Sequence, residues 1–158
     1  MKIKIISRFK METLLSLGKE EFNPEDYNII SIIDPEMNFL FPIDNLPKNI
    51  LQLKFHDLEK EDWDKDPEYV EKKGWVIFND DHARQITKFM DRMDPEKDLI
   101  VHCLAGISRS GAIGDYARIR FGLDYERFFI GNKQIIPNAW ILKTLLRIEV
   151  DNRLEIVV

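Results

Sequence analysis

Residues 101–111 read Val-His-Cys-Leu-Ala-Gly-Ile-Ser-Arg-Ser-Gly and contain Cys103, the single cysteine of the chain. The preceding residues, 98–102, turn from polar to apolar and β-branched, which predicts a short buried strand ending at this cysteine. After Arg109, residues 110–120 carry apolar side chains at helical spacing. The loop from Cys103 to Arg109 is therefore expected between the carboxyl end of a strand and the amino end of a helix.

A loop in this position is suited to binding an anion. Successive backbone N–H groups can point inward, and the helix end adds a partial positive charge. No acidic residue lies between Cys103 and Arg109, so the loop is open to an external anion. These groups favour the thiolate, and we predict that Cys103 is a nucleophile. Arg109 can offer two parallel donors to phosphoryl oxygens, and Ser110 can donate to the sulfur when it leaves.

The alternative interpretation of Cys103 is structural, because a free cysteine usually packs as a small buried hydrophobe. That interpretation does not explain an arginine six positions later, the Ser110-Gly111 pair after it, or Gly106 inside the loop. We therefore interpret this segment as the site of nucleophilic attack on a phosphate ester.

These residues resemble the signature of the cysteine-dependent protein tyrosine phosphatase superfamily, His-Cys-x5-Arg-Ser/Thr. The run from His102 to Ser110 is most similar to the compact dual-specificity branch and its bacterial and phage relatives, and a weaker resemblance extends over residues 29–147. The resemblance implies an α/β fold and hydrolysis of phosphate monoesters through a cysteinyl-phosphate intermediate, with no metal or cofactor. It also implies a supporting role for His102 and a phosphate-binding loop made of Leu104, Ala105, Gly106, Ile107, Ser108 and Arg109.

Such an enzyme needs a general acid to protonate the leaving group. In the resembled family this acid is an aspartate just past a strand that precedes the signature. Residues 50–55 alternate like a half-buried strand, and Asp57 follows, so Asp57 is the predicted acid, with His56 as a minor alternative. The spacing from Asp57 to Cys103 is longer than expected for compact members. The extra residues, about 59–67, supply three rival acids: Asp62, Asp64 and Asp66.

Asn138 is a further match to the resembled family. It follows Pro137 and precedes a helical pattern over residues 139–147, where Pro-Asn is also an ordinary helix entry. Many compact relatives carry Pro-Asn at a comparable place, and the resemblance implies that Asn138 braces the phosphate loop.

The loop also bears on the substrate, because none of Leu104, Ala105, Ile107 and Ser108 is basic. Relatives that act on phosphoinositides often carry a cation there, so we expect a single phosphate monoester, most simply phosphotyrosine on a protein or peptide. Tyrosine-only and dual specificity both stay open, because pocket depth decides between them. Possible aromatic walls, for which core packing is the alternative role, are Phe39, Phe41, Trp63 and Trp75. A non-catalytic phosphotyrosine-binding module, or pseudophosphatase, is the alternative function.

Composition sets broader limits. The 158 residues predict one phosphatase domain spanning 1–158. A net charge of −5 argues against nucleic acid as a partner. A single cysteine fits a reducing compartment. Residues 1–7 lack the apolar core of a signal peptide, and no run is long enough to span a bilayer. We therefore expect a cytoplasmic protein with no membrane partner.

The coarse map predicts a mainly parallel central sheet flanked by helices. The predicted strands are residues 2–7, 27–33, 50–55 and 99–102. The predicted helices are 9–17, a helix from Asn79 or Asp80 to 93, the helix after the loop, 124–130 and 137–149. Residues 59–73 are predicted to form a mobile loop. Ligands bind at the carboxyl ends of strands in such sheets, where Cys103 and Asp57 both fall.

Overall fold

The computed structural model describes residues 1–157, and its centre is a four-stranded sheet. The strands are β1 (Ile3–Ser7), β2 (Asn28–Ile33), β3 (Ile50–Lys54) and β4 (Leu99–Cys103). All neighbouring strands are parallel, in the order β1-β4-β2-β3. The two central strands are buried along their whole length, as expected for a parallel sheet covered on both faces. The predicted α/β class and parallel sheet are confirmed.

Seven α-helices surround the sheet within the described residues. They are α1 (Arg8–Ser16), α2 (Lys60–Lys65), α3 (Pro67–Lys72), α4 (Asp80–Asp91), α5 (Arg109–Arg120), α6 (Tyr125–Gly131) and α7 (Ala139–Val157). Three of them, α4, α5 and α7, pack together over one face, and α1 packs on the strands from the opposite face. A 3₁₀ turn, Pro24–Asp26, leads into β2.

The prediction of a mobile loop over residues 59–73 is wrong, because this segment forms α2 and α3. Glu59 and Asp62 form a reciprocal capping box at the start of α2. The Asp66 side chain accepts from the Tyr69 amide at the start of α3, and Pro67 occupies the first helical position. Val70 is buried and attaches α3 to the body of the protein. Three acidic residues of this segment, Glu59, Asp62 and Asp66, therefore cap the starts of helices.

The last helix is longer than the predicted 137–149, because α7 continues to Val157. No glycine or proline interrupts residues 150–157. Val150, Leu154 and Ile156 on this continuation are exposed. Among residues 1–157, no helix has the length and apolar character needed to cross a membrane.

Candidate active site

The predicted loop lies at the carboxyl edge of the sheet. Cys103 is the last residue of β4, and Arg109 is the first residue of α5. Above Cys103 lies a cavity of about 530 Å³. Its lining comes from the ends of β2, β3 and β4 and from the segment after α3: Asp34, His56, Asp57, Leu58, Trp75, Cys103, Leu104, Ala105, Ile107, Ser108 and Arg109.

The loop carbonyls are turned outward and bonded to neighbouring segments. The carbonyl of Leu104 accepts from the Arg8 amide at 3.2 Å, and those of Ile107 and Ser108 accept from the amides of Ile136 and Asn138, each at 3.1 Å. Because C=O and N–H point in opposite directions across a planar trans peptide, the amides that follow these carbonyls face the inside of the loop. They form a concave set of donors for an anion: the N–H groups of Ala105, Ser108 and Arg109.

Cys103 lies at the floor of this loop and is buried. Its Sγ is 3.1 Å from the Ser110 hydroxyl and accepts from the Gly106 amide at 3.3 Å. The sulfur therefore lies within hydrogen-bonding distance of a hydroxyl and of a loop amide, next to the amino end of α5.

Gly106 is required by the close approach of the loop to β1. Its φ is +70°, in the left-handed region. A Cβ at this position would lie 2.5 Å from the carbonyl carbon of Ile6 and 2.6 Å from the amide nitrogen of Ser7. Both contacts are with backbone, which cannot move aside as a flexible side chain can. The loop can therefore close around the sulfur only with glycine here.

The Arg109 side chain is buried, and part of its guanidinium is already bonded. Nη1 donates to Asp34 Oδ1 at 2.5 Å and to the Phe55 carbonyl at 2.8 Å. Nε is buried and has no hydrogen-bond partner within residues 1–157. A buried donor without a partner is costly, and an anion in the cavity would satisfy it. The edge formed by Nε and Nη2 also has the geometry for a bidentate bond to two phosphoryl oxygens.

Asp34 belongs to this site, although no sequence motif predicts it. It directly follows β2, so its position at the carboxyl edge of a parallel sheet was an available signal. Strand order makes β2 the direct neighbour of β4, which brings Asp34 to Arg109. The carboxylate orients the guanidinium through Nη1, while Nε has no partner within the described residues.

Asp57 lies at the exposed rim of the same cavity. Its Oδ1 accepts from the Ser108 hydroxyl at 2.8 Å and from Asn138 Nδ2 at 2.9 Å. The structure therefore brings the predicted acid to the phosphate loop.

The three rival aspartates do not line the cavity. Asp62 accepts from the Glu59 amide at 3.0 Å, and Asp66 accepts from the Tyr69 amide at 2.9 Å. Asp64 is bonded to Lys60 within α2. All three side chains serve the local structure of α2 and α3.

Asn138 braces two segments at once. Its backbone amide holds the Ser108 carbonyl, while its side-chain Nδ2 donates to Asp57 Oδ1 and to the Leu58 carbonyl at 3.0 Å. Its Oδ1 accepts from the Ile141 amide at 3.0 Å and so caps α7. The contact with the phosphate loop is thus made by the backbone, and the side chain holds the segment that carries Asp57.

His102 is fully buried beneath the loop. Its Nε2 is 2.6 Å from the Ser31 hydroxyl, and its Nδ1 has no hydrogen-bond partner within the described residues. Burial lowers the pKa of the imidazole from 6.5 to about 4. The ring is therefore neutral at pH 7, so it contributes packing and polarity beside Cys103 rather than positive charge.

Of the four aromatic residues suggested as pocket walls, one lines the Cys103 cavity and three lie elsewhere. Trp75 lines the Cys103 cavity. Trp63 lines a separate groove with Phe78 and Trp140. Phe41 is buried in the smaller core cluster, and Phe39 lies under the Lys54 ammonium at 4.6 Å.

Comparisons with known proteins bear on the fold. No protein-family model and no curated protein matches the chain. Among solved structures, the Cydia pomonella PTP-2 phosphatase aligns over 92% of this chain and 84% of its own, with 19% identity and a TM-score of 0.50. The chain therefore shares the fold of this phosphatase, and the predicted resemblance is confirmed at the level of the fold.

Two further solved structures align at lower scores. The human tyrosine phosphatase-like serine/threonine/tyrosine-interacting protein is 22% identical over 92% of this chain and 86% of its own, with a TM-score of 0.42. Tk-PTP in its active form is 12% identical over 96% of this chain and 90% of its own, with a TM-score of 0.46.

Proposed function

We propose that this chain is a cysteine-dependent phosphomonoester hydrolase, namely a protein tyrosine or dual-specificity phosphatase formed by a single domain. The observation that supports it most is the composition of one cavity. Cys103 Sγ lies at its floor, the buried Arg109 Nε has no partner, and Asp57 lies at its rim. A nucleophile, an anion receptor and a proton donor thus share one space of suitable size.

In the proposed reaction, the loop amides and the Nε–Nη2 edge of Arg109 bind the phosphoryl oxygens. The Cys103 thiolate attacks phosphorus, the bond from phosphorus to the ester oxygen breaks, and that oxygen takes a proton from Asp57. Water then attacks the cysteinyl phosphate and gives a proton to the Asp57 carboxylate. The sulfur–phosphorus bond breaks, and the Ser110 hydroxyl donates to the departing thiolate.

The alternative is a phosphotyrosine-binding module without turnover. An intact Cys103, with Ser110 at 3.1 Å and an aspartate at the cavity rim, supports the hydrolase instead, because binding alone needs none of them. The proposed substrate is a phosphotyrosine-bearing protein or peptide. A reducing cytoplasm would keep the thiol active, so the cytoplasmic location belongs to the same proposal.

The test is a steady-state assay with para-nitrophenyl phosphate in the presence and absence of a chelator. We expect turnover that survives the chelator and is abolished in Cys103→Ser, because a serine hydroxyl stays protonated near neutral pH. It is then a far poorer nucleophile than a thiolate, and its alkoxide is a far poorer leaving group. Ser16→Ala, a change at the exposed end of α1, is the control and should retain full activity. Phosphopeptide binding by the unmodified protein without turnover would contradict the hydrolase and favour the binding module.

A further inference from the structure

The segment after α3 contributes one wall of the Cys103 cavity. Trp75 is half-buried and lines the cavity together with His56 and Leu104. It belongs neither to the phosphate loop nor to the segment that carries Asp57.

Backbone and side-chain bonds hold this wall in place. The His56 amide donates to the Val76 carbonyl, and the Val76 amide donates to His56 Nδ1, both at 2.8 Å. His56 Nε2 is 2.6 Å from Glu36 Oε1, so the ring is held on both sides. The Trp75 amide donates to the Val70 carbonyl at 3.1 Å, and Val70 is buried. The wall is thus attached both to the end of β3 and to α3.

The indole itself is oriented by aromatic neighbours. Tyr69 packs edge-on against Trp75, with ring centroids 5.6 Å apart and an interplanar angle of 85°. The centroid of the His56 ring lies 6.4 Å from that of Trp75. An aromatic surface already held in one orientation can stack on a ligand ring at little further cost in conformational entropy.

The remaining lining suits an aryl group carrying one phosphate. Leu104 and Ile107 add apolar surface above the sulfur, and Leu104 is 48% exposed. Arg109 is the one Lys or Arg side chain that lines the cavity among residues 1–157, so the cavity offers no second cation for a second phosphate. In a bound phosphotyrosine peptide, the phenyl ring would lie between the phosphate group and the peptide backbone, level with the apolar surface of Leu104 and Ile107. The short arm of phosphoserine would leave Trp75 without a ligand contact.

We propose that Trp75 is a specificity-determining residue whose indole stacks on the phenyl ring of phosphotyrosine and favours it over phosphoserine and phosphothreonine. This inference rests on the proposed phosphatase function. On this proposal, one aromatic wall of the cavity, rather than the depth of the pocket, gives the preference for phosphotyrosine.

The experiment compares kcat/KM for two peptides of one sequence that differ only in phosphotyrosine or phosphoserine. The unmodified protein should prefer the phosphotyrosine peptide. Trp75→Ala should lower kcat/KM for that peptide by roughly three- to tenfold, the range of one aromatic pair, and leave the phosphoserine value unchanged. Inhibition by vanadate, which has no ring, should also stay unchanged.

Two further variants control for folding and for tryptophan content. Trp75→Phe keeps an aromatic wall and should retain most of the preference. Trp63→Ala removes a tryptophan of the neighbouring helix α2 that lines another groove, and it should match the unmodified protein on both peptides. Thermal unfolding of each variant shows whether the fold is retained.

The outcomes separate the two proposals. Cys103-dependent turnover with an equal loss on both peptides in Trp75→Ala, or with no loss, would overturn the role of Trp75 alone. Turnover of neither peptide by the unmodified protein, or turnover that survives Cys103→Ser, would overturn the phosphatase function and this inference with it.

Discussion

At the level of a single residue, hydrogen bonds orient the carboxylate of Asp57, the proposed general acid. Both hydrogen bonds to its carboxylate, from Ser108 and from Asn138, go to Oδ1. In the proposed reaction the proton would therefore be carried by Oδ2. Ser108 connects the acid to the phosphate loop, and Asn138 connects it to α7. The same two bonds fix the direction in which the carboxyl group faces the cavity.

Asp57→Asn should lower kcat for an alkyl or unactivated aryl phosphate by about 100-fold or more, because general acid catalysis contributes about 10²–10⁴-fold. The loss should be much smaller for a substrate whose leaving group needs little protonation. The measurement is kcat for a series of aryl phosphates with different leaving groups, at the pH optimum of the unmodified protein.

Asp62→Asn is the matched control for this change. Asp62 is also an aspartate and lies five residues after Asp57. Its carboxylate, however, accepts from the Glu59 amide and does not line the cavity. It should behave like the unmodified protein. An unchanged kcat in Asp57→Asn for the least activated substrate would show that another group supplies the proton.

At the level of elements, the phosphate loop depends on the strand beside it. β1 pairs with β4 in parallel, with Ser7 opposite Cys103. The end of β1 therefore lies against the loop, and the Arg8 amide at the start of α1 holds the Leu104 carbonyl. Gly106 packs directly on this backbone. The loop's shape is thus a joint product of β1, β4 and α5.

Gly106→Ala should both destabilise the fold and weaken anion binding, because its Cβ would overlap the Ile6 and Ser7 backbone. Gly122→Ala is the matched control, since its φ is also positive, at +63°, while no neighbouring atom of residues 1–157 lies within 4 Å of its added Cβ. The free energy of unfolding of the control should fall only by about 1–2 kcal/mol, which is the cost of placing an alanine in the left-handed region. Urea unfolding and vanadate inhibition measure the two effects. Equal losses in both variants would contradict the close-packing explanation.

At the level of the whole molecule, the chain must protect β1, which is an edge strand. The buried Asn132, just after α6, does this with its side chain. Its Oδ1 accepts from the Ile5 amide at 2.8 Å, and its Nδ2 donates to the Ile3 carbonyl at 3.0 Å. The amide group thus takes the place of a neighbouring strand along this part of the edge.

Asn132→Ala should reduce the free energy of unfolding by about 1–3 kcal/mol, because it leaves the Ile5 amide without its partner. Lys133→Ala, at the exposed neighbouring position, should change stability by less than about 0.5 kcal/mol. Urea denaturation of both variants gives the comparison. An unchanged midpoint in Asn132→Ala would mean that water replaces the side chain at no cost.

The amino-acid sequence by itself determined the parts that depend on local order. Period-two and apolar runs predicted all four strands, and the spacing from Cys103 to Arg109 predicted a loop between a strand and a helix. These features are readable because strand periodicity, helix periodicity and loop length are set by neighbours in the chain. Two local predictions were wrong. The charge of residues 59–73 predicts a loop, although some of their acidic residues cap two helices, and the last helix continues beyond residue 149.

Only the tertiary structure decided what depends on strand order and packing. It brought Asp34 to Arg109 across 75 positions, directed the Asn138 side chain to Asp57, and separated Trp75, at the cavity, from Trp63, outside it. Such contacts join segments far apart in the chain, and they follow from which strand ends meet at one edge of the sheet. No local pattern specifies that choice, since it comes from the burial of both faces of a four-stranded parallel sheet.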